Sequence, residues 1–305
     1  MSGPDLPPPR APCGLQRHGC AIRDVVLADR LNPTLVASPA GRLEEAADSG
    51  FASRGVTIPS SRVGRDCLRT GGSMLAKKRS FSEEPNMPTT QGFRLGIYVF
   101  KDVEIIDFAA PYGVFSVARR YDPELDVFLV AEAMRPTQAQ AGLTLLPNYA
   151  FGDRPSMDAF VIPGGAGTRQ ELHNGRLHEF ITSLPTSTLL TSVCTGSWIY
   201  GTMGLLDGLA ATNRKEPDAQ EASGRGMVPI DRLAAIAPAC RISRARVVDA
   251  GRIITAGGIA SGMELGFHLL RRAGYDESFV SEVARVMEYQ AAYEIYRDDI
   301  ELVRP

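Results

Sequence analysis

TLLTSVCTGSWIYGTMGLL (188–206) is the stretch on which the fold turns. TLLTSVC (188–194) is an apolar run of the length of a buried strand, and TGSWIYGTMGLL (195–206) has helical spacing and opens directly behind it. A strand that passes into a helix through Cys-Thr-Gly places its cysteine at the carboxyl edge of a parallel sheet. There the side chain meets the first unpaired N–H groups of the helix and the positive end of its dipole. Such a setting is expected to lower the pKa of the Cys194 thiol and to favour the thiolate. The N–H of Thr195 is expected to stabilise an oxyanion.

The same alternation extends in both directions. RLGIYVF (94–100), DVFLVAE (126–132) and DAFVIPGG (158–165) read as strands, and GLTLLPNYAF (142–151) as an extended ribbon. IDFAAPYGVFSVARRY (106–121) reads as a helix, as does TRQELHNGRLHEFITSL (168–184) with a break at Asn174-Gly175. ARVVDAGRIITAGG (245–258) reads as a hairpin. SGMELGFHLLRRAG (261–274) and ESFVSEVARVMEYQAAYEIY (277–296) read as one helix each. Strands alternating with helices imply one α/β domain, flavodoxin-like, with a mostly parallel sheet covered by helices on both faces. Its bounds are expected at 93–297, with 298–305 as a tail.

Residues 1–92 have a different composition. Roughly half of the prolines fall in this part of the 305-residue chain, with no sustained period. We expect it to be disordered, or an extension ahead of a true start at Met74 or Met87. The net charge of −2 provides no basic field for nucleic acid, and no apolar run reaches the roughly 18 residues of a membrane span. No continuous apolar segment near the N-terminus resembles a secretory signal, so a cytoplasmic location is expected. Five cysteines without regular spacing do not make a disulfide framework or a zinc site, and reduced thiols are expected.

Two further segments share the edge with Cys194. IPGGAG (162–167) ends a strand, and its glycines let backbone N–H groups approach a ligand. Gly165 is expected to give a second oxyanion donor beside Gly164, although an ordinary tight turn would read the same. Asp107, in EIIDFAAP, follows the first strand and opens the first helix. It could cap that helix or exchange a proton with the thiol.

LGIYVFKDVEIIDFAAP (95–111), FVIPGGAG (160–167), TSVCTGSWIYGTMGLLDGLAAT (191–212) and RIITAGGIASGMELGFHLL (252–270) together resemble the ThiJ/PfpI superfamily, with its class I glutamine-amidotransferase-like fold. The stretches are most similar to isonitrile hydratase and to the sensor domains of AraC-type regulators. The resemblance implies Cys194 as nucleophile and Asp107 as acid/base, hydrating an isonitrile to an N-substituted formamide. It implies no metal or organic cofactor, a small-molecule substrate and a homodimer. Thr195, where many members have His, favours the hydratase-like branch. Ala211-Thr212-Asn213-Arg214 departs from the Ala-Thr-Thr-His of relatives, so Arg214 is expected to hold the thiolate by charge or to bind an anionic substrate.

Other residues have plainer readings. Cys240 is read as structural, His173 and His178 as a surface helix, and His268 as core. Trp198 and Tyr200 suit the core or the pocket equally, and Glu264 is a weak site candidate. Arg241, Arg244 and Arg246 read as a solvated face. AGGIASG (256–262) lacks the lysine and spacing of a phosphate loop and is read as close packing at a turn. Two other functions stay open. One is a ligand-sensing domain without a helix-turn-helix, since the resemblance extends over about 94–290 and the 15 residues after it leave no room for one, so direct DNA binding is not expected. The other is a glyoxalase- or deglycase-like, or peroxide-sensing, thiol protein.

Overall fold

The structure, a computed structural model, describes residues 92–303. The expectations for 1–91, with Cys13, Cys20 and Cys67, lie outside the described residues. The chain runs through β1 (Arg94–Tyr98), α1 (Ile105–Ala118), β2 (Asp126–Ala131), β3 (Thr137–Gln138), β4 (Thr144–Leu145), β5 (Tyr149–Ala150) and β6 (Ala159–Ile162). It continues through α2 (Thr168–Glu171), α3 (Gly175–Ser183), β7 (Leu189–Val193), a 3₁₀ turn at Cys194–Gly196, α4 (Ser197–Thr202), β8 (Ala210–Ala211), α5 (Ala219–Ala222) and α6 (Pro229–Ile236). It closes with β9 (Arg241–Ile242), β10 (Val247–Asp249), β11 (Ile253–Ala256), a 3₁₀ turn at Ile259–Ser261, α7 (Gly262–Arg272), α8 (Glu277–Val286), α9 (Gln290–Tyr296) and β12 (Ile300–Leu302).

Eight strands form one sheet in the order β12-β10-β11-β7-β6-β1-β2-β5, and only the β10–β11 pair is antiparallel. β3–β4 and β8–β9 are separate two-stranded ribbons. The central strands β6 and β11 are buried at every position, as a sheet covered on both faces requires. Helices α1, α7 and α8 pack together, and α4 packs with α2 and α6. The closest helix approach is α1 on α7. It depends on Gly262, where a Cβ would meet Ala110 and Pro111 at 3.1 Å, and Gly266, where it would meet Val114 at 2.9 Å.

Where the sheet positions the site, the order matters. β1 is followed by β2 on one side and flanked by β6 on the other. This reversal opens a crevice at the carboxyl ends, where ligands bind in open α/β sheets. The four neighbouring strands β11, β7, β6 and β1 each end there, and each is followed by a segment that builds the site.

Three elements differ from the sequence reading. Residues 300–302 are not a tail: β12 pairs in parallel with β10 through Val247–Ile300 and Asp249–Leu302, so the sheet extends past the boundary drawn at 297. The single helix expected over 277–296 is two, because Glu288 takes φ +53°. That bend brings Tyr289 onto Phe267 and lets its hydroxyl donate to Glu264 Oε1 at 2.8 Å. The helix expected over 195–206 is confined to α4, since the chain leaves Cys194 in a 3₁₀ turn and reaches Gly204 with φ +71°. The break at Asn174 is as read, with Asn174 Oδ1 accepting from the N–H groups of Arg176 and Leu177.

The turn after β7 lies hard against β6. A Cβ on Gly196 would sit 2.0 Å from the carbonyl oxygen of Ile162, whereas one on Gly113 in α1 would meet nothing within 4 Å. Gly196→Ala is expected to destabilise the protein by about 3 kcal/mol, and Gly113→Ala to stabilise it by about 0.5–1 kcal/mol. Urea unfolding checks both, as opposite shifts of the midpoint at unchanged slope.

Candidate active site

Cys194 follows the last residue of β7 and holds φ +55°. Its N–H donates to the carbonyl of Gly257, beyond β11, at 2.8 Å, which pins the strained turn to the neighbouring strand end. The side chain is sealed, with 5 % of the residue exposed. The N–H groups of Thr195 and of Ile259 face the sulfur. Burial nonetheless pushes the thiol well above its ordinary range, and the Asp107 carboxyl adds to the rise; the two N–H groups and Arg214 oppose it. This corrects the expectation of a lowered pKa. The elbow does aim backbone dipoles at the sulfur, but removal from water outweighs them.

Asp107 lies in the first turn of α1 and is fully buried. It does not cap the helix: Glu104 holds the N-cap position, and it makes no side-chain cap bond either. Instead Asp107 Oδ2 accepts the N–H of Gly164 at 2.8 Å, while Oδ1 has no conventional hydrogen-bond partner. The polar group facing the carboxyl is the Cys194 thiol. Burial pushes Asp107 up from 3.8 to about 8 and the Glu104 charge adds to this, while Gly164, the thiol and Arg214 pull it down. Both shifts favour the protonated forms, a neutral acid beside a neutral thiol. Ionising either group raises the cost of ionising the other.

The Pro-Gly-Gly turn after β6 secures these groups, with the N–H groups of Gly164 and Gly165 both engaged within the protein. The Gly165 N–H, expected to be an oxyanion donor, donates to Thr195 Oγ1 at 3.1 Å, and Thr195 Oγ1 also pairs with Thr168 Oγ1 at 3.0 Å. Gly164 admits no side chain, because a Cβ would lie 2.5 Å from Thr195 Oγ1 and 2.8 Å from Asp107 Oδ2. Gly165 has φ +125°, which favours glycine.

Above the thiol lies a cleft of about 760 Å³. Cys194, Thr195, Gly165 and Ile259 form its floor, with Glu104, Gln140 and Ala166 on one side. Arg169, Arg214 and the α5 residues Ala219–Glu221 also line it. Arg214 is not a free cation. Its guanidinium is bound by both oxygens of Glu221 at 2.7 and 2.9 Å and lies 3.8 Å from Asp218. Its effect on the thiol is thus exerted from within an ion pair. Asn213, buried beside it, donates to Ser197 Oγ at 2.8 Å and so braces the elbow helix.

The sequence brought Cys194, Asp107, Gly164, Gly165, Thr195 and Arg214 to one place, and the structure does the same. It missed Ile259, Glu104, Gln140, Arg169 and Glu221. Glu104 had a signal, standing one turn before Asp107 on the same helix face. Glu221 had one too, as Asp218-x-x-Glu221 forms a reciprocal capping box on α5. Ile259 had none, because its N–H reaches the sulfur only through the β7–β11 pairing. Away from the cleft, Trp198 and Tyr200 are core residues, with Trp198 Nε1 donating to the Pro229 carbonyl at 2.9 Å. His268 is buried against Asp249 at 2.7 Å, and Glu264 is bridged by Arg246 at 2.7 Å. Cys240 is apart from the site.

The DJ-1/PfpI family profile matches residues 94–272. The isonitrile hydratase of Pseudomonas putida is 30 % identical over 201 residues, covering 66 % of this chain and 78 % of that protein. A ThiJ/PfpI family protein from Pseudomonas syringae superposes with a TM-score of 0.55 at 20 % identity, covering 74 % of this chain and 97 % of that one. An AraC family transcriptional regulator from Pseudomonas putida superposes with a TM-score of 0.52 at 20 % identity, covering 64 % and 99 %.

The proton on Asp107 is open to a direct check. A carboxyl neutral in the folded state and ionised in the unfolded one contributes stability that is full below about 3.8 and is lost as pH rises towards about 8. Asp107→Asn has no such loss, so its stability relative to wild type is expected to rise between about pH 5 and about pH 8, measured by urea midpoints. The same variant removes a charge that raises the thiol pKa, so iodoacetamide should modify its Cys194 faster at about pH 8.5, read by peptide mass.

Proposed function

Because the chain belongs to the DJ-1/PfpI family, we propose that it is a cysteine-dependent hydratase of small molecules, converting an isonitrile to an N-substituted formamide. The observation that carries this reading is the buried Asp107 carboxyl facing the Cys194 thiol at the floor of the cleft. An isonitrile presents one carbon that must take both a proton and a nucleophile. A carboxylic acid touching a thiol supplies the two without first separating charge in a dry site. The similarity to the isonitrile hydratase of Pseudomonas putida supports the same chemistry.

In the first half-reaction Cys194 Sγ bonds to the isonitrile carbon. Asp107 gives its proton to that carbon and receives the proton of the thiol, leaving a neutral thioimidate on the sulfur. The N–H groups of Thr195 and Ile259 offset the charge that develops on sulfur. In the second half water adds to the thioimidate carbon, the carbon–sulfur bond breaks, and the formamide leaves with the thiol restored. A cleft of about 760 Å³ fits a small organic substrate.

A ligand-sensing domain is the second reading. The Arg214–Glu221 pair at the cleft wall favours it, since an anionic ligand would compete for that guanidinium. An assay of formamide release from a simple alkyl or aryl isonitrile separates the two. Turnover by wild type, falling at least ~10³-fold in Cys194→Ala, is expected. A folded wild-type protein without turnover would overturn the hydratase reading in favour of sensing.

A further inference from the structure

The water step of the hydratase reading requires a carboxylate on the cleft wall, since Asp107, fully buried beneath the floor with its pKa raised, serves the bound carbon and nitrogen as the acid. Three carboxylates line the cleft: Glu104, Asp218 and Glu221. Two of them are committed elsewhere. Glu221 holds Arg214 with both oxygens and accepts the N–H of Asp218 at 2.9 Å. Asp218 Oδ1 accepts the N–H groups of Gln220 and Glu221 at 2.8 and 2.9 Å, and Oδ2 faces Arg214.

Glu104 is bound differently. Among the described residues no Lys, Arg or His lies within ion-pair distance of its carboxylate. Beside it lies the Gln140 side-chain amide, which, with its nitrogen turned towards the carboxylate, donates to Oε2 at 3.1 Å and accepts the Ala166 N–H at 3.1 Å. Its main-chain N–H donates to the Gly164 carbonyl at 2.9 Å, and the N–H of that same glycine holds Asp107. The two acidic residues are three apart on one helix face, one half-buried on the cleft wall and one sealed beneath it. The two differ in burial, and the charge on Glu104 is one of the causes that raise the Asp107 pKa.

We infer that Glu104 is the general base that activates water against the Cys194-bound intermediate. The assignment rests on the hydratase reading. Glu104 takes one proton from water as the water oxygen bonds to the thioimidate carbon, and the imino nitrogen takes the proton of Asp107. The carbon–sulfur bond then breaks with its electrons on sulfur, which recovers the proton held by Glu104. The hydroxyl proton passes to Asp107 as the carbonyl forms. Water and thioimidate become formamide and thiol, and both carboxyl groups end as they began. Gln140 fixes the carboxylate against the wall, and its role is to position.

Glu104→Gln keeps the size of the side chain and removes the base. Intact mass and formamide release are followed for wild type and variant with an alkyl isonitrile, alongside thermal unfolding. Loading of Cys194, a mass gain equal to the isonitrile, is expected at a rate within about threefold of wild type, while release slows ~10²–10⁴-fold and the loaded form accumulates. Glu104→Asp is expected to recover part of the release rate. Release at the wild-type rate in Glu104→Gln would overturn the role of Glu104 and leave the hydratase reading intact. Loading lost together with release in a folded variant would also overturn it, placing Glu104 ahead of the intermediate. Neither loading nor release in wild type would overturn both.

Discussion

The Gly164 N–H donates to Asp107 Oδ2 at 2.8 Å, and this bond joins the end of β6 to the first turn of α1 across the crevice of the sheet. It also decides which carboxyl oxygen is left over. With one oxygen engaged and the residue fully buried, the other has the Cys194 thiol before it. In a buried acid–thiol pair, ionising one group raises the cost of ionising the other, so burial holds both towards their protonated forms. The tight contacts around Gly164 and the anchoring of Cys194 to Gly257 keep the two groups in register. Much of the surrounding glycine pattern serves that one approach.

Charge in the cleft is arranged in two zones. Arg214, Glu221 and Asp218 neutralise one another on the α5 side, and the polar segment 215–226 supplies the two carboxylates of this clasp. On the α1 side Glu104 faces the Gln140 amide. Arg169 lies over the ring of Trp198 at 5.6 Å, which leaves its charge at the rim. The guanidinium that replaces an expected imidazole is thus absorbed into the wall.

The strand–Cys, strand–Gly-Gly and strand–Asp segments were legible because each is a local pattern, and a parallel sheet necessarily brings their ends together. The protonation of Cys194 and Asp107 was not legible. It depends on coverage by Ile259, which follows β11, and by residues after β8, and a motif of four residues carries no record of what closes over it. The clasp on Arg214 was hidden for the same reason, although its capping box was in plain view. The bend at Glu288 has no glycine or proline to announce it; the tertiary contacts of Tyr289 with Phe267 and Glu264 accompany it. β12 was missed because three residues at the edge of a sheet carry too little pattern to stand out.

The left-handed turn at Cys194 has one more consequence. A side chain at φ +55° carries about 1–2 kcal/mol of strain that glycine would not. Glycine at 194 would relax that turn, so selection for a sturdier fold alone favours losing the cysteine. Under the proposed chemistry, stability and reactivity pull in opposite directions at this single residue, and the thiol is what a chain kept for its fold alone would give up.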